Sequence, residues 1–188
     1  MVGRQARQRG VAAVEFAICG IIFFMLVFGI IELARAMYIC NTLQEVTRRA
    51  ASFAANTDFS NPTAMQRVRE RAIFRESPGL LMLADPISDE HIKIDYMSLP
   101  VSATVPLAFA GGLPANPEQN RENCMTDPNG AQCIRLVRVR ICMPESNDCD
   151  AVPYKTLVSF IPLPFGLPTS TTVVHAETLG LPPRLPPG

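Results

Sequence analysis

The chain has 188 residues, enough for one modest soluble domain and a membrane anchor, and its 17 basic and 17 acidic residues balance to zero formal charge. Trp is absent and Tyr occurs only three times. The charge balance and the few aromatic residues argue against a basic, base-stacking surface, so we expect no nucleic-acid partner. All 17 prolines lie at or after Pro62, so the preceding segment permits one long helix and the remainder does not.

A short basic head precedes a long apolar run. Residues Val11 to Leu33 would form a helix of roughly 34 Å, which is long enough to cross the hydrocarbon core of a bilayer. Three arginines (positions 4, 7 and 9) precede this run without any acidic residue, which favours a cytoplasmic N-terminus. The chain beyond the membrane would therefore be exported.

One carboxylate, that of Glu15, lies inside the apolar run. Placing an ionised group in hydrocarbon costs at least about 2.5–3.5 kcal/mol, so this residue is a functional candidate. Cleavage after Gly10 would create a free amino group on Val11, four residues before Glu15. Residues four apart share a helix face, so the ammonium and the carboxylate can pair within one chain or between neighbours. The spacing predicts a processed, membrane-anchored subunit that packs against copies of itself or relatives.

The residues around this junction resemble a known family. Gly10, four small or apolar residues and then Glu15 and Phe16 look like a class III, type IV-like prepilin processing site. The continuation through Gly29–Ala36 and Arg48–Ala54 resembles the TadE-like family of Tad/Flp pilus assembly systems. The resemblance covers about the first 55 residues. The remainder of the chain matches the family only in outline, as a strand-rich tail.

The resemblance implies cleavage after Gly10 by a prepilin peptidase and N-methylation of Val11, the first mature residue. It implies a structural role as a minor pilin or pseudopilin in pilus assembly or priming, with Glu15 and Phe16 as the intramembrane assembly residues. Major Flp pilins are much shorter and usually carry Tyr in place of Phe16, so a bulk pilus subunit is not expected. The implied partners are the peptidase and related pilin or pseudopilin subunits in the bacterial inner membrane, with the exported domain in the periplasm or at a pilus tip.

Two other interpretations of the N-terminus stay open. Ala34-Arg35-Ala36 supplies the small-x-small pattern of a secretory cleavage site, although the uncharged run of residues 16–31 exceeds the roughly 7–15 residues of such a signal. An unprocessed signal anchor accounts for the apolar length but leaves Glu15 and the Gly10 junction unexplained. The alternative function is therefore a signal-anchored periplasmic binding or envelope protein unrelated to pili.

The helical pattern continues beyond the membrane to about Asn56, so we predict one helix over residues 11–56, with about 11–33 in the membrane. Small or apolar residues recur at alternating spacings of four and three along one face. Over residues 40–55 this stripe would pack against the chain's own domain or against a partner helix. It contains Ala36, Cys40, Leu43, Thr47, Ala50 and Ala54. Cys40, like Cys19 in the apolar run, is expected to pack as a small hydrophobe.

A second helix is predicted to begin at Asn61 and Pro62, an N-cap followed by proline at the first helical position. Ser77-Pro78-Gly79 would end it. Its buried face would contain Met65, Val68 and Ala72, and its outward face Arg67, Arg69, Glu70 and Arg71.

Strict alternation of apolar and polar residues then predicts strands. The predicted strands are residues 91–96, 137–141, 171–179 and, less regularly, 154–161, with prolines interrupting residues 162–168. The expected fold class is α+β: a long N-terminal transmembrane helix that extends into a small helix-plus-antiparallel-sheet exported domain. We place a leader at residues 1–10, this domain at 57–180 and a proline-rich tail at 181–188.

The exported domain contains an even set of four cysteines. Cys124 and Cys133 enclose a Pro-Asn-Gly turn, and Cys142 and Cys149 enclose a polar loop that begins with Pro144. Of the three possible connectivities, we therefore predict these two sequential pairs, each stabilising the fold by about 2–3 kcal/mol. Disulfides would require an oxidising compartment such as the periplasm.

No metal, cofactor or catalytic set is expected. A zinc site is the alternative use of the cysteines, but they form no C-x-x-C motif, and the only histidines, His91 and His175, lie far from them in sequence. Asp89 and Glu90 cluster acids beside His91 without an evident partner. The chain has no G-x-S-x-G, phosphate-binding loop or H-E-x-x-H motif, and only a Ser/His/Asp site assembled from distant residues stays open. We therefore expect a protein that acts by contact rather than an enzyme.

Overall fold

The computed structural model describes residues 5–101, 104–109, 112–146, 148–157 and 165–181, with the side chains of the first helix described from Val11 onward. The chain divides into two compact units. The first comprises Met1–Tyr38 with Thr156–Leu163, and the second comprises Ile39–Lys155 with Pro164–Gly188.

The first helix, α1, is continuous from Gln5 to Ala55. The predicted long helix is confirmed. It begins at Gln5, before the expected leader junction at Gly10. From Val11 it is long and apolar enough to cross a membrane, with a mean hydropathy of 2.7 in its most apolar window. The N-terminal segment is therefore a candidate membrane anchor.

The second helix, α2, spans Pro62–Ala72 and begins as predicted. The Oδ1 atom of its N-cap, Asn61, accepts a hydrogen bond from the backbone N–H of Ala64 at 3.1 Å. Such a cap satisfies one of the free N–H groups of the first turn. Proline at the first position needs no N–H partner, so the Asn-Pro pair fixes where the helix starts.

The end of α2 lies earlier than predicted. The backbone N–H of Phe74 bonds to the carbonyl of Arg71, and the N–H of Arg75 bonds to that of Glu70. This is the Schellman pattern, with Phe74 in the left-handed conformation (φ 62°) that glycine usually adopts. The helix therefore stops before the Ser77-Pro78-Gly79 turn, and a bulky residue stands where sequence rules expect glycine.

Glu70 was expected on the outward face of α2, and that prediction is wrong. Its side chain is buried, and its Oε1 atom accepts a hydrogen bond from Nε2 of Gln66, one turn earlier, at 3.2 Å. The same Gln66 amide also donates to Asp89 at 2.8 Å. A buried carboxylate needs such a donor, and the helical spacing supplies it.

The sheet is antiparallel, with strand order β2-β1-β3-β4. A short 3-10 turn, Asp89–His91, leads into the sheet. The strands are β1 (Ile92–Ser98), β2 (Leu107–Ala108), β3 (Leu136–Ile141) and β4 (Thr171–His175). The α+β class is thus confirmed, as are three of the predicted strands, although β4 ends at His175.

The predicted strand at residues 154–161 is wrong in its described part. Residues 154–157 belong to no strand, and 158–161 lie outside the described residues. Pro153 forms only an isolated bridge with Gly166. The fourth strand is instead β2, which pairs with the far side of β1.

A third helix, α3, spans Pro117–Thr126 and was not predicted. Its N-cap, Asn116, accepts a hydrogen bond at Oδ1 from the N–H of Gln119 at 2.8 Å, repeating the Asn-Pro start of α2. Only Pro117 and Asn120 are buried, so the helix carries no apolar stripe that periodicity could detect. Its inner contact is polar: Oδ1 of Asn120 accepts the N–H of Ile134 at 2.8 Å.

The outer part of α1, from Ile39 onward, packs inside the second unit. The side chains of Leu43, Ala50 and Ala54 are fully buried there. The Thr172 hydroxyl on β4 donates to that of Thr47 at 2.9 Å. For residues 40–55, the expectation that the stripe packs against the chain's own domain is therefore confirmed.

Candidate functional site

The apolar half of α1 presents its side chains outward. Glu15 is exposed on this helix, and among the described residues it makes no hydrogen bond or ion pair. Its neighbour Phe16 is 81% exposed. If this segment lies in a bilayer, the Glu15 carboxylate has no water and no partner among the described residues. An ionised group in that position requires a partner from outside.

Gly10 and Val11, the predicted processing site, lie on the same continuous helix. Val11 is four residues before Glu15, which corresponds to about 6 Å along the helix axis. Residues at this spacing share a face. A cationic group at Val11 would therefore lie on the same face as the carboxylate of Glu15.

A second carboxylate, that of Glu32, lies near the end of the apolar run and is only 1% exposed. Its two oxygens accept the backbone N–H of Leu157 at 3.3 and 3.2 Å. The guanidinium of Arg35 lies 3.5 Å from Oε1. The Glu32 carboxylate is therefore ion-paired and hydrogen-bonded within its own chain.

Sequence reasoning missed the role of Glu32. The spacing of three to Arg35 could have indicated an ion pair on one helix face. The contact with Leu157 could not, because that residue is 125 positions away in sequence. The two carboxylates of the apolar run thus differ: Glu32 is hydrogen-bonded and ion-paired within its own unit, and Glu15 has no partner among the described residues.

Both disulfides join the cysteines that the sequence pairs. Cys124, in the last turn of α3, is bonded to Cys133, and Cys142, directly after β3, is bonded to Cys149. One bridge ties α3 to the chain just before β3, and the other closes the loop just after it. All four cysteines of the second unit are disulfide-bonded, whereas Cys19 and Cys40 on α1 are free thiols.

The histidines are placed in structural positions. The backbone N–H of Ser88 donates to Nδ1 of His91 at 3.1 Å, and the Ser88 hydroxyl lies 3.0 Å from the same atom. Asp89 accepts the N–H of Gly79 at 2.9 Å, so it orients a loop rather than the imidazole. Burial lowers the pKa of His91 below its usual value. His175 lies exposed on β4.

Within the described ranges, no group of three or more His, Cys, Asp or Glu side chains is arranged to hold a metal ion. The nearest approach to a catalytic arrangement is the contact between Ser88 and His91. There the imidazole acceptor is already occupied by the Ser88 backbone N–H, as in a helix capping box. This contact closes a turn, and it faces no described cavity.

Comparison with known families gives one result. The family model described as TadE-like protein matches residues 10–52. That range begins at Gly10 and includes Glu15, Phe16 and Glu32, so the resemblance predicted from the sequence is confirmed over this segment. No curated protein and no solved structure matches the chain.

Proposed function

We propose, on the premise that residues 10–52 form the TadE-like segment of a Tad pilus-associated protein, that this chain is a minor pilin or pseudopilin. TadE-like proteins are generally structural rather than enzymatic, which supports a role in pilus assembly or priming. The observation that carries the proposal is the exposed Glu15, which has no partner in the described part of its own chain.

The proposed mechanism begins with a prepilin peptidase that cuts between Gly10 and Val11. Cleavage removes the three arginines of the head and creates an ammonium at the start of the apolar helix. This group then pairs with Glu15 of the adjacent subunit, and N-methylation of Val11 would leave its charge in place. Because an unpaired charge in hydrocarbon is costly, the pair sets the axial register of the two helices.

The side of the apolar helix opposite Glu15 supports close helix packing. Ala13, Ala17 and Gly20 recur at spacings of four and three, and such small residues let helix backbones approach closely in a membrane. A Cβ atom added at Gly20 would meet no other atom within 4 Å, so the helix surface is open there. We assign this face to neighbouring pilin or pseudopilin helices.

The proposed location is the bacterial inner membrane, with a single pass, a cytoplasmic N-terminus and a periplasmic second unit. The arginine head supports the orientation, and the two disulfides support an oxidising compartment. In this location the second unit would act by contact, at a pilus tip or as an assembly initiator, together with a related pseudopilin.

The alternatives for the N-terminus predict different products. A secretory cut after Ala36 would separate Glu32 from the Leu157 amide that it binds. A plain signal anchor retains that contact but provides no function for Glu15. The first observation counts against a secretory cut, and the second favours the pilin-like function over a signal-anchored envelope protein.

The N-terminus of the membrane-extracted protein tests the proposal. Mass spectrometry is performed with and without a co-expressed prepilin peptidase, on the unaltered chain and on Gly10→Val and Gly3→Val variants. We expect a peptidase-dependent start at Val11 in the unaltered chain and in Gly3→Val, and an intact leader in Gly10→Val. A start at Met37, or an intact N-terminus in every sample, would contradict the proposal.

A further inference from the structure

A basic groove runs between the outer part of α1 and α2. Its volume is about 210 Å³, and Phe53 forms part of its wall. Arg67 and Arg71 line it from α2 and are exposed. Arg49 lies next to Arg71, to whose carbonyl it donates, and its guanidinium carbon is 4.4 Å from the centre of the Phe74 ring. We call Arg49, Arg67 and Arg71 the arginine groove.

The charges of the arginine groove are unbalanced. None of its three arginines forms an ion pair with a described residue, whereas Arg48 next door is paired with Glu45 at 2.8 Å. Nε of Arg49 is buried without an acceptor. The Nη2 atom of the same side chain donates to the Arg71 carbonyl, and this hydrogen bond is long, at 3.4 Å. Three neighbouring guanidinium groups would bind an anionic partner most strongly if it presents several carboxylates.

The same chain carries a matching anionic element, the loop closed by Cys142 and Cys149. Its acidic side chains are exposed, and none pairs with a described residue. Backbone bonds hold its ends together: Met143 donates to the Asp150 carbonyl at 3.0 Å. We call Glu145 and Asp148 within this loop, together with Asp150 directly after Cys149, the acidic loop. Because the disulfide and this backbone bond hold the two ends of the loop together, docking it would cost less conformational entropy than docking an open segment.

The two elements lie on opposite sides of α2. Arg67 and Arg71 are four residues apart and share the face toward α1. Gln66 and Arg69 line a separate cleft, and Pro144 at the start of the acidic loop lines that cleft with them. One chain therefore holds its groove and its loop apart. Two copies in the same orientation can bring them together.

We propose that the arginine groove receives the acidic loop of a second copy of this chain. The contact is head-to-tail, because each copy offers a groove on one side and a loop on the other. Such a contact leaves one groove and one loop unfilled in every pair, so it can continue into a row. The inference rests on the proposed function only in taking a second copy as the neighbour, and it requires no leader cleavage.

Zero-length cross-linking of the full chain in membranes tests the contact. A carbodiimide joins an amine to a carboxylate, and it does not react with guanidinium groups. Arg71→Lys keeps the charge and supplies an amine in the groove, whereas Arg75→Lys supplies one just beyond it as a matched control. Isotopically light and heavy copies are mixed so that mass spectrometry separates links between copies from links within one. The variants also carry Gly10→Val, so the outcome does not depend on processing.

We expect links between copies that join position 71 to Glu145, Asp148 or Asp150, and no such links from position 75. Glu145→Gln, Asp148→Asn and Asp150→Asn together remove the reactive carboxylates and should abolish these links, and about 0.5 M NaCl should weaken them in the unaltered loop by screening. Links confined to one copy, or to other carboxylates, would overturn the proposal. So would the absence of links together with Arg67- and Arg71-dependent binding to anionic lipid vesicles, which would assign the groove to a membrane surface.

Discussion

The backbone N–H of Leu157 donates to the carboxylate of Glu32, a residue 125 positions earlier in the chain. This contact gives the second acid of the apolar run an internal partner, and Arg35 completes it. The two acids can therefore be separated by experiment, because Glu32 is bound within its own chain, whereas Glu15 pairs with a neighbour only on the proposed function.

Replacing Glu32 should loosen the segment at Leu157. Glu32→Ala removes an acceptor for that backbone N–H and leaves Arg35 without its ion pair, at a cost of about 2 kcal/mol. Hydrogen-exchange mass spectrometry of the peptide containing Leu157 should show exchange about tenfold faster or more. Glu15→Ala is the matched control and should leave that peptide unchanged. Equal protection in both variants would show that the Glu32 contact is not formed in the membrane.

Replacing Glu15 should impair assembly and leave the fold intact. Glu15→Gln keeps the shape of the side chain but removes the charge that would pair with the Val11 ammonium. We expect normal membrane insertion and normal disulfides, and a marked loss of co-purification with pilin-like partners. The alternative function as a plain anchor predicts equal or better insertion with unchanged partners, and that outcome would refute the pairing mechanism.

Phe74 should show opposing effects of strain and stacking. Phe74→Ala removes the ring that faces Arg49 and keeps a side chain in the left-handed conformation. Phe74→Gly removes the same ring but relieves the backbone, which is worth about 1 kcal/mol. The glycine variant should therefore be the more stable of the two by about that amount in denaturant unfolding. Equal stability would mean that the backbone at this position carries no strain.

The stability of the second unit should fall in mild acid because of His91. Burial lowers the pKa of this imidazole in the folded state, so the folded protein binds fewer protons than the unfolded chain. The free energy of unfolding should decrease as the pH falls below about 6.5, the usual histidine pKa, and level off below the lowered folded-state pKa. Protonation of Nδ1 would also set an N–H against that of Ser88.

Urea unfolding at several pH values between about 7.5 and 5 measures this slope. His91→Gln should flatten it, whereas His175→Gln, which alters an exposed histidine on β4, should leave it unchanged. If both variants retain the slope of the unaltered chain, another group is responsible for the acid sensitivity.

Local signals in the sequence predicted the parts of the fold that depend on neighbours in the chain. The apolar run gave α1, the Asn61-Pro62 pair gave the start of α2, and alternation gave β1 and β3. The sequential cysteine pairs followed from the short loops that they close. In each case a few adjacent residues determine the local geometry.

The parts that were missed either bury little apolar surface or depend on contacts between distant segments. The helix α3 begins with the same Asn-Pro pair as α2, but it buries little apolar surface and so shows no helical periodicity. The strand β2 has two residues and is defined only by its pairing with β1. The partner of Glu32 was likewise invisible, because no local pattern links Leu157 to α1.

Both disulfides flank β3, the strand that joins β1 to β4 at the centre of the sheet. Thiols stay reduced in the bacterial cytoplasm and are oxidised outside it. On the proposed topology, the bridges that brace this strand can form only after the chain has crossed the membrane. The second unit would then mature in a fixed order, with translocation before oxidation. The acidic loop would be closed by its disulfide only in the compartment where the proposed contact between copies forms.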